Sequence, residues 1–227
     1  HGLDGVRSIA CSSDGRPLYG ASVCDDAVVL VERDLDDGSL TIVDLFDLSD
    51  SLIDGLREFT AASLSPDDRH LYVTARQEDN ALLVFSRDSE RGTLQLVEVQ
   101  REGLGGVTGL MGASDVAVSP DGHHVYVASG FGSSVAMFRR SVATGKLTFL
   151  GSFRNGFGGV EGIRRALSIV VSPDGRHVYV AGADDNSVAI FDRDASTGWL
   201  TFMSAITSGV DGVVGLNFAF QIVLNPT

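Results

Sequence analysis

The chain has 227 residues, and its 30 acidic and 17 basic side chains give a formal net charge of −13. Nucleic-acid affinity depends on Lys and Arg neutralising phosphates, so this charge excludes a nucleic-acid partner. No run of about 18 apolar residues occurs, and no membrane-spanning helix is expected. An acidic surface with one lysine, Lys146, favours an extracellular or periplasmic location.

An internal repeat of about 53 residues organises the chain, as expected of a solenoid or propeller. Its clearest marker is a turn that follows a short apolar run and contains a Pro, Asp or Gly signal. The equivalent acidic positions are Asp14, Asp67, Asp121 and Asp174, which are 53, 54 and 53 residues apart. The segment Ile222–Thr227 repeats the same pattern up to the turn.

Short runs rich in Val, Ile, Tyr and Phe predict four strands in each unit, taken here in chain order. The first unit begins with a strand at Ser8–Ser12. The second has strands at Ala62–Leu64, Leu71–Val73, Ala81–Phe85 and Leu94–Leu96. The third has them at Val116–Val118, Val125–Val127, Ser134–Phe138 and Leu147–Phe149. The fourth has them at Ile169–Val171, His177–Val180, Ser187–Phe191 and Leu200–Phe202, and Gln221–Pro226 follows as a further first strand.

Repeated four-stranded units are typical of propeller blades, whose faces are buried only by the neighbouring blade. We therefore predict an all-β fold, a β-propeller of four-stranded antiparallel blades with four blades and the first strand of a fifth. The blades span about 8–60, 61–114, 115–167 and 168–220 of a single array, and residues 221–227 form the surplus inner strand. Glycine-rich links at 103–110, 156–163 and 209–216 supply tight turns between blades, with a degenerate copy at 51–56.

The sequence of the fourth unit resembles the YVTN and lactonase-type propeller repeat, which is 6-phosphogluconolactonase-like. The segments that carry the likeness are Ser172–Val180, Asn186–Phe191 and Thr197–Phe202. The resemblance implies a propeller over essentially the whole chain. It implies two kinds of function, because the repeat occurs in lactone-processing enzymes and in non-catalytic extracellular proteins. Members with enzyme activity usually have seven blades.

The resemblance also implies that catalytic Arg, Glu and His groups surround the central channel, on the face formed by the loops that link blades. The catalytic candidates at that face are Arg57, Glu58, Glu161, Arg164 and Arg165. Arginine can hold a carboxylate or phosphate through two hydrogen bonds, and glutamate can act as a general base. The alternative is that these are solvated loop charges. His70, His124 and His177 share one repeat position on the opposite face and are interpreted as structural.

Acidic pairs in equivalent turns suggest a metal site. The candidates are Asp25, Asp26, Asp184 and Asp185. Calcium takes six to eight oxygen ligands, which such turns could begin to supply. The third unit has Gly132-Ser133 at this turn, so a calcium ring repeated in every blade is not expected. Turn formation and solubility explain the same residues, and we expect no cofactor.

Two functions remain open from the sequence. The first, which we favour, is a non-catalytic module that binds a protein or a small molecule. Such a module would be a segment of a larger propeller or a half-ring completed by a second copy, and thus a homo-oligomer. The alternative is a lactonase-like hydrolase of a sugar or related lactone, motivated by the repeat and by the arginines and glutamates of the loops.

Overall fold

The computed structural model describes residues 3–47, 56–78 and 80–225. They form 16 strands in four antiparallel sheets, each sheet paired in chain order. The first two sheets contain β1 (Val6–Cys11), β2 (Pro17–Ser22), β3 (Ala27–Arg33), β4 (Leu40–Asp47), β5 (Leu56–Leu64), β6 (His70–Glu78), β7 (Ala81–Arg87) and β8 (Leu94–Arg101). The other two contain β9 (Ala113–Val118), β10 (His124–Ser129), β11 (Ser134–Arg140), β12 (Leu147–Arg154), β13 (Ala166–Val171), β14 (His177–Gly182), β15 (Ser187–Arg193) and β16 (Leu200–Thr207).

These sheets are the predicted blades, and the predicted fold class is confirmed. In the second, third and fourth blades the fourth strand is longer than predicted, as in β16, which continues to Thr207. In the described part of the chain, no helix is long and apolar enough to cross a membrane. The degenerate link at 51–56 lies outside the described residues except for Leu56.

A tight turn joins the first two strands of each blade. In the fourth blade, the Asp174 carboxylate accepts hydrogen bonds from the Ser172 hydroxyl (2.5 Å) and the Arg176 amide (3.0 Å). Gly175 sits at φ 71°, a conformation that costs glycine little, and its amide donates to the Ser172 carbonyl. The Ser-Pro-Asp-Gly pattern therefore fixes the hairpin register, which places Ile169 opposite Val180.

Each innermost strand carries a β-bulge near its start. The register shifts between Val6 and Ser8 in β1, and at the matching place in the three other blades. The bulged residues are Arg7, Thr60, Ser114 and Leu167. A bulge bends the strand and re-aims a side chain, so these four residues leave the alternation that the rest of the strand follows.

Apolar packing occurs between blades rather than within them. In β6, Leu71 and Val73 pack toward the first blade, whereas Tyr72 packs toward the third. Alternation along the strand thus supplies both faces of the sheet. Three such clusters hold the four blades together, and Tyr19, Tyr72 and Tyr126 are fully buried in them.

A polar network, here called the arginine network, recurs at the blade interfaces. Arg193 donates from Nε to the Tyr126 hydroxyl (2.8 Å) and from Nη2 to the Asp121 carboxylate (2.6 Å). The same Nη2 lies 2.8 Å from Nδ1 of His124, and the Tyr126 hydroxyl donates to the Gly198 carbonyl (2.9 Å). This buried guanidinium therefore has its charge and most of its donors satisfied across the interface.

The second and third blades share the same network. Arg140 contacts Tyr72, Asp67 and His70 at 2.8 Å each, and the Tyr72 hydroxyl donates to the Gly145 carbonyl. The first and second blades share a reduced form, in which Arg87 donates to the Tyr19 hydroxyl and Tyr19 donates to the Gly92 carbonyl. Pro17 stands in that network where the later blades have histidine.

The segment predicted as the first strand of a fifth blade occupies the innermost position but is not a strand. The Ile222 amide donates to the Ser168 hydroxyl (3.2 Å), as the Ala62 amide donates to the Ser8 hydroxyl (3.1 Å). Residues 221–225 nevertheless pair with no strand of the described chain, because the ladder of an inner strand is completed by the second strand of its own blade. Pro226 and Thr227 lie outside the described residues.

Candidate functional site

A cavity of about 190 Å³ lies where the innermost strands of all four blades converge. The bulged residues Arg7, Thr60, Ser114 and Leu167 line it, together with Asp115 and Arg76. Phe220 and Gln221 also border it. Each blade thus contributes the start of its inner strand, and the bulges direct these side chains toward one volume. The cavity combines two arginines and one carboxylate with small hydroxyl side chains.

Arg76 is held rigidly beside the cavity. Its Nε and Nη2 each lie 2.8 Å from Oε2 of Glu58, and its guanidinium stacks over the Phe131 ring at 5.6 Å. Glu58 itself has φ 53°, a costly conformation for a residue with a side chain, and its amide donates to Oδ1 of Asp26 (2.7 Å). The ion pair and the ring therefore fix the orientation of the Arg76 guanidinium beside the cavity.

Among the cavity residues, Asp115 has the most strongly shifted pKa. Its Oδ1 accepts from the Val116 amide and its Oδ2 from the Ile169 amide of the next blade, both at 2.9 Å. Burial raises the pKa of the Asp115 carboxyl to about 6, although these hydrogen bonds act in the opposite direction. A carboxylate with such a pKa is ionised at neutral pH and basic enough to take a proton from water.

The five catalytic candidates from the sequence are not brought together. Glu58 touches the cavity only through Arg76, and Arg57 points to solvent. Glu161 and Arg164 line a separate pocket of about 640 Å³ beside β16, where Arg164 lies 3.5 Å from Asp185. Arg165 lies 3.6 Å from Asp184 and stacks over the Phe218 ring at 5.1 Å.

The four acidic metal candidates serve as hydrogen-bond acceptors in the loops. Asp25 accepts from the Asp4 amide (3.0 Å), and Asp185 accepts from the Arg164 amide (2.9 Å). Asp26 accepts from the next blade, as described above, and Asp184 contacts an arginine. Among the described residues, no three His, Cys, Asp or Glu side chains gather as a metal site would require.

The position of Asp26 recurs as a link between neighbouring blades. The residues at this position are Asp26, Asn80, Ser133 and Asn186, all with positive φ. Each accepts, through its side chain, the amide of the residue 32 positions later: Glu58, Gly112, Arg165 and Phe218. The side chain at this position has to accept a hydrogen bond from that amide. Aspartate, asparagine and serine can all do so, which explains why an acidic residue occurs in this turn.

Sequence reasoning missed Arg7, Arg76 and Asp115, although the repeat contains a signal for them. Each is a charge at a repeat position that other blades fill with uncharged residues. Asp115 corresponds to Ser8, Ala61 and Ser168, and Arg76 corresponds to Val23, Gly130 and Ala183. A charge that departs from the repeat on one of the two innermost strands of a blade marks the channel.

Comparison with known proteins gives consistent matches. Residues 2–106 and 101–214 match a family described as "Lactonase, 7-bladed beta-propeller". A probable 6-phosphogluconolactonase of Arthroderma benhamiae is 28% identical over 146 residues, which cover 60% of this chain and 34% of that protein. The 6-phosphogluconolactonase of Enterobacter sp. (strain 638) is 25% identical over 142 residues, or 62% and 41% of the two chains.

A solved structure of a protein from Lactobacillus plantarum superposes with a TM-score of 0.73 and 24% identity, covering 89% of this chain and 57% of that one. This likeness supports the propeller fold. The chain spans about a third to two fifths of the length of the curated relatives quoted above.

Our expectation of a non-catalytic binding module is wrong. The matched family and the named relatives are lactonases, and they favour the alternative that the sequence left open.

Proposed function

Because this chain belongs to the lactonase family of seven-bladed β-propellers, we propose that its four blades form the substrate-contacting wall of a lactone hydrolase, acting on a sugar or related lactone. The observation that carries the proposal is the channel cavity, which Arg7, Arg76 and Asp115 line together. Active sites are typically concave and contain groups with shifted pKa values. This cavity is concave and contains Asp115, whose carboxyl pKa is raised by burial.

The chemistry assigns a role to each charged side chain. Asp115 takes a proton from a water molecule, and the water oxygen bonds to the lactone carbonyl carbon. The negative charge that develops on the carbonyl oxygen is stabilised by the guanidinium of Arg76 or Arg7. The bond between the carbonyl carbon and the ring oxygen then breaks, the ring oxygen takes the proton from Asp115, and a hydroxy acid leaves.

The direct test measures hydrolysis of glucono-δ-lactone and its 6-phosphate by the 227-residue chain, as acid released above the spontaneous rate. Asp115→Asn should lower kcat by at least about 100-fold, because general-base catalysis contributes roughly that much. Activity of the unsubstituted chain should fall as the pH drops below about 6, where Asp115 becomes protonated.

Asp36→Asn is the matched control, since Asp36 is an exposed carboxylate in the turn between β3 and β4. It should retain full activity. Equal rates in the Asp115 and Asp36 variants, or no rate above the spontaneous one with either lactone, would overturn the proposal.

A further inference from the structure

We propose that the lactone hydrolysed at this site carries an apolar substituent, such as an alkyl chain, rather than the several hydroxyl groups of a sugar lactone. The proposal rests on the hydrolysis proposed above and narrows its substrate class. It follows from the way polar and apolar side chains divide the channel. We call Arg7 and Arg76 the cationic wall of the cavity, and Leu167 and Phe220 the apolar wall.

The bulged residues that line the cavity change from charged to apolar along the chain. They are Arg7, Thr60, Ser114 and Leu167, one from each successive blade. Phe220 holds the same repeat position after the fourth blade and also borders the cavity. Because successive blades stand side by side around the channel, one side of the cavity is cationic and another is apolar.

The second strands continue this division. Arg76 of β6 lines the cavity, and its equivalent in the third blade is Gly130. A Cβ at Gly130 would lie 3.4 Å from Cδ2 of Leu167 and 3.1 Å from the Ser114 hydroxyl oxygen. Gly130 therefore leaves the space in which Leu167 packs, at the repeat position where the second blade presents a guanidinium.

The hydroxyl side chains of the cavity are already engaged inside the protein. Thr60 donates to a backbone carbonyl of the next blade, and Ser114 donates to a carbonyl of its own segment, both at 2.8 Å. The hydroxyls of Ser8 and Ser168 each accept a backbone amide of the next repeat, at 3.1 and 3.2 Å. A site that selects a sugar offers hydrogen-bonding groups to its hydroxyls, whereas these groups are committed to the fold.

The polar groups that remain suit one ester group. Arg7 lines the cavity without an ion pair to any described residue. Arg76 binds Glu58 through Nε and Nη2, which leaves Nη1 for a ligand. With Asp115 and the Gln221 amide, these groups match the carbonyl and ring oxygen of a lactone better than a ring of hydroxyls.

Apolar surface continues from the cavity to the mouth of the channel. Phe131 follows Gly130 and is 66% exposed, and a Cβ at Gly112 would overlap its ring, so the ring packs on the Gly112 backbone. Met111 is 49% exposed beside the same turn, where its carbonyl accepts the Gly132 amide (2.8 Å). A substituent longer than the cavity would therefore leave it over apolar side chains.

The test compares lactones that share one ring and differ in their substituent. They are δ-hexalactone with a methyl group, δ-decalactone with a pentyl group, and glucono-δ-lactone with hydroxyl groups. Hydrolysis by the 227-residue chain is measured as acid released above the spontaneous rate. The kcat/KM of δ-decalactone should exceed that of δ-hexalactone by at least about tenfold, because burying about two further methylenes contributes roughly fourfold each. Relative to its own spontaneous rate, glucono-δ-lactone should be a poorer substrate than δ-decalactone.

Leu167→Ser and Phe220→Ser test the apolar wall directly. Each should lower the kcat/KM ratio of the two alkyl lactones to about threefold or less, because a hydroxyl replaces the apolar surface that receives the chain. Val142→Ser is the matched control. It makes a similar change at a residue that is 37% exposed in the turn between β11 and β12, and it should keep the ratio of the unsubstituted chain.

Binding of lactams separates this inference from the hydrolysis on which it rests. The δ-lactams with a methyl or a pentyl group beside the ring nitrogen resist hydrolysis, and calorimetry measures their dissociation constants. The pentyl compound should bind at least about tenfold more tightly, and Leu167→Ser should remove most of this difference. That result without turnover of any lactone would refute the hydrolysis alone.

Three outcomes would show that the site does not select an apolar substituent. They are equal kcat/KM values for the two alkyl lactones, equal dissociation constants for the two lactams, and a preference for the pentyl group that survives in both serine variants. Turnover of glucono-δ-lactone together with any of these would leave the proposed hydrolysis standing and this inference wrong.

Discussion

The same residue type behaves differently at one repeat position according to its neighbours, as the histidines show. His124 is 2% exposed, and its Nδ1 lies 2.8 Å from Nη2 of Arg193. Burial and the nearby guanidinium lower the pKa of His124 to about 4. His177 occupies the equivalent position in the fourth blade but has no arginine partner among the described residues.

This difference predicts an acid-sensitive blade interface. The pKa of His124 is lower in the folded chain than its value of about 6.5 in an unfolded one, so the unfolded chain binds the proton more tightly. The stability present above pH 6.5 is therefore lost as the pH falls toward 4, by on the order of 2 kcal/mol for this residue. Urea unfolding between pH 4.5 and 7 should show the loss.

His124→Gln should flatten this pH dependence, whatever its effect on stability at pH 7. His177→Gln is the control and should keep the dependence of the unsubstituted chain. The interpretation fails if both variants lose stability with the same slope on acidification.

At the scale of elements, the turn between the third and fourth strands docks each blade on the one before it. Gly198 and Gly38 occupy this turn with the same φ of 77°. A Cβ at Gly198 would overlap the His124 ring of the preceding blade, whereas a Cβ at Gly38 would meet nothing within 4 Å. The two glycines have the same strained backbone conformation. They differ only in whether a neighbouring blade lies against the turn.

Replacing each glycine with alanine should therefore separate the cost of backbone strain from the cost of disturbing the contact between blades. Gly38→Ala is expected to cost about 1 kcal/mol of unfolding free energy, because alanine tolerates positive φ poorly. Gly198→Ala should cost about 1–3 kcal/mol more, since overpacking at a tight interface forces the ring or the turn to move. Chemical denaturation measures both values, and equal costs would show that the turn does not depend on the preceding blade.

The elements also show which features the sequence could predict. The second and third strands follow from alternating apolar residues between turn signals, as at His177–Val180 and Ser187–Phe191, and the structure extends rather than moves them. The bulge at the start of each inner strand has no such signal. It decides that Arg7 lines the channel, and the site depends on this feature. A loop charge at the same face can also lie on the outer side of a blade, as Arg164 does beside β16.

For the stability of the whole molecule, the positions of the charges matter more than the net charge. Arg140 and Arg193 are buried in blade interfaces, each paired with an aspartate whose side chain is about a third exposed, so part of the basic content of the chain does not offset the acidic surface. The exposed carboxylates repel one another, which destabilises a compact state of net charge −13. These partly buried pairs are screened by salt much less than the surface charges.

Salt should therefore stabilise this fold, although its interfaces contain ion pairs. Raising NaCl from about 20 mM to about 500 mM shortens the screening length severalfold and weakens the surface repulsion. The expected result is a Tm higher by a few degrees, on the order of 1 kcal/mol of stability for a chain of this size. Scanning calorimetry in dilute solution measures the shift.

Two exposed substitutions make the cause testable. Arg57→Gln makes the chain one unit more negative and should enlarge the shift, whereas Asp36→Asn makes it one unit less negative and should reduce it. A Tm that falls with salt in all three proteins would mean that ion pairs accessible to solvent, such as Arg76 with Glu58, contribute more to stability than the surface repulsion removes. The arginine network, whose guanidinium groups are buried, should be nearly indifferent to salt in either case.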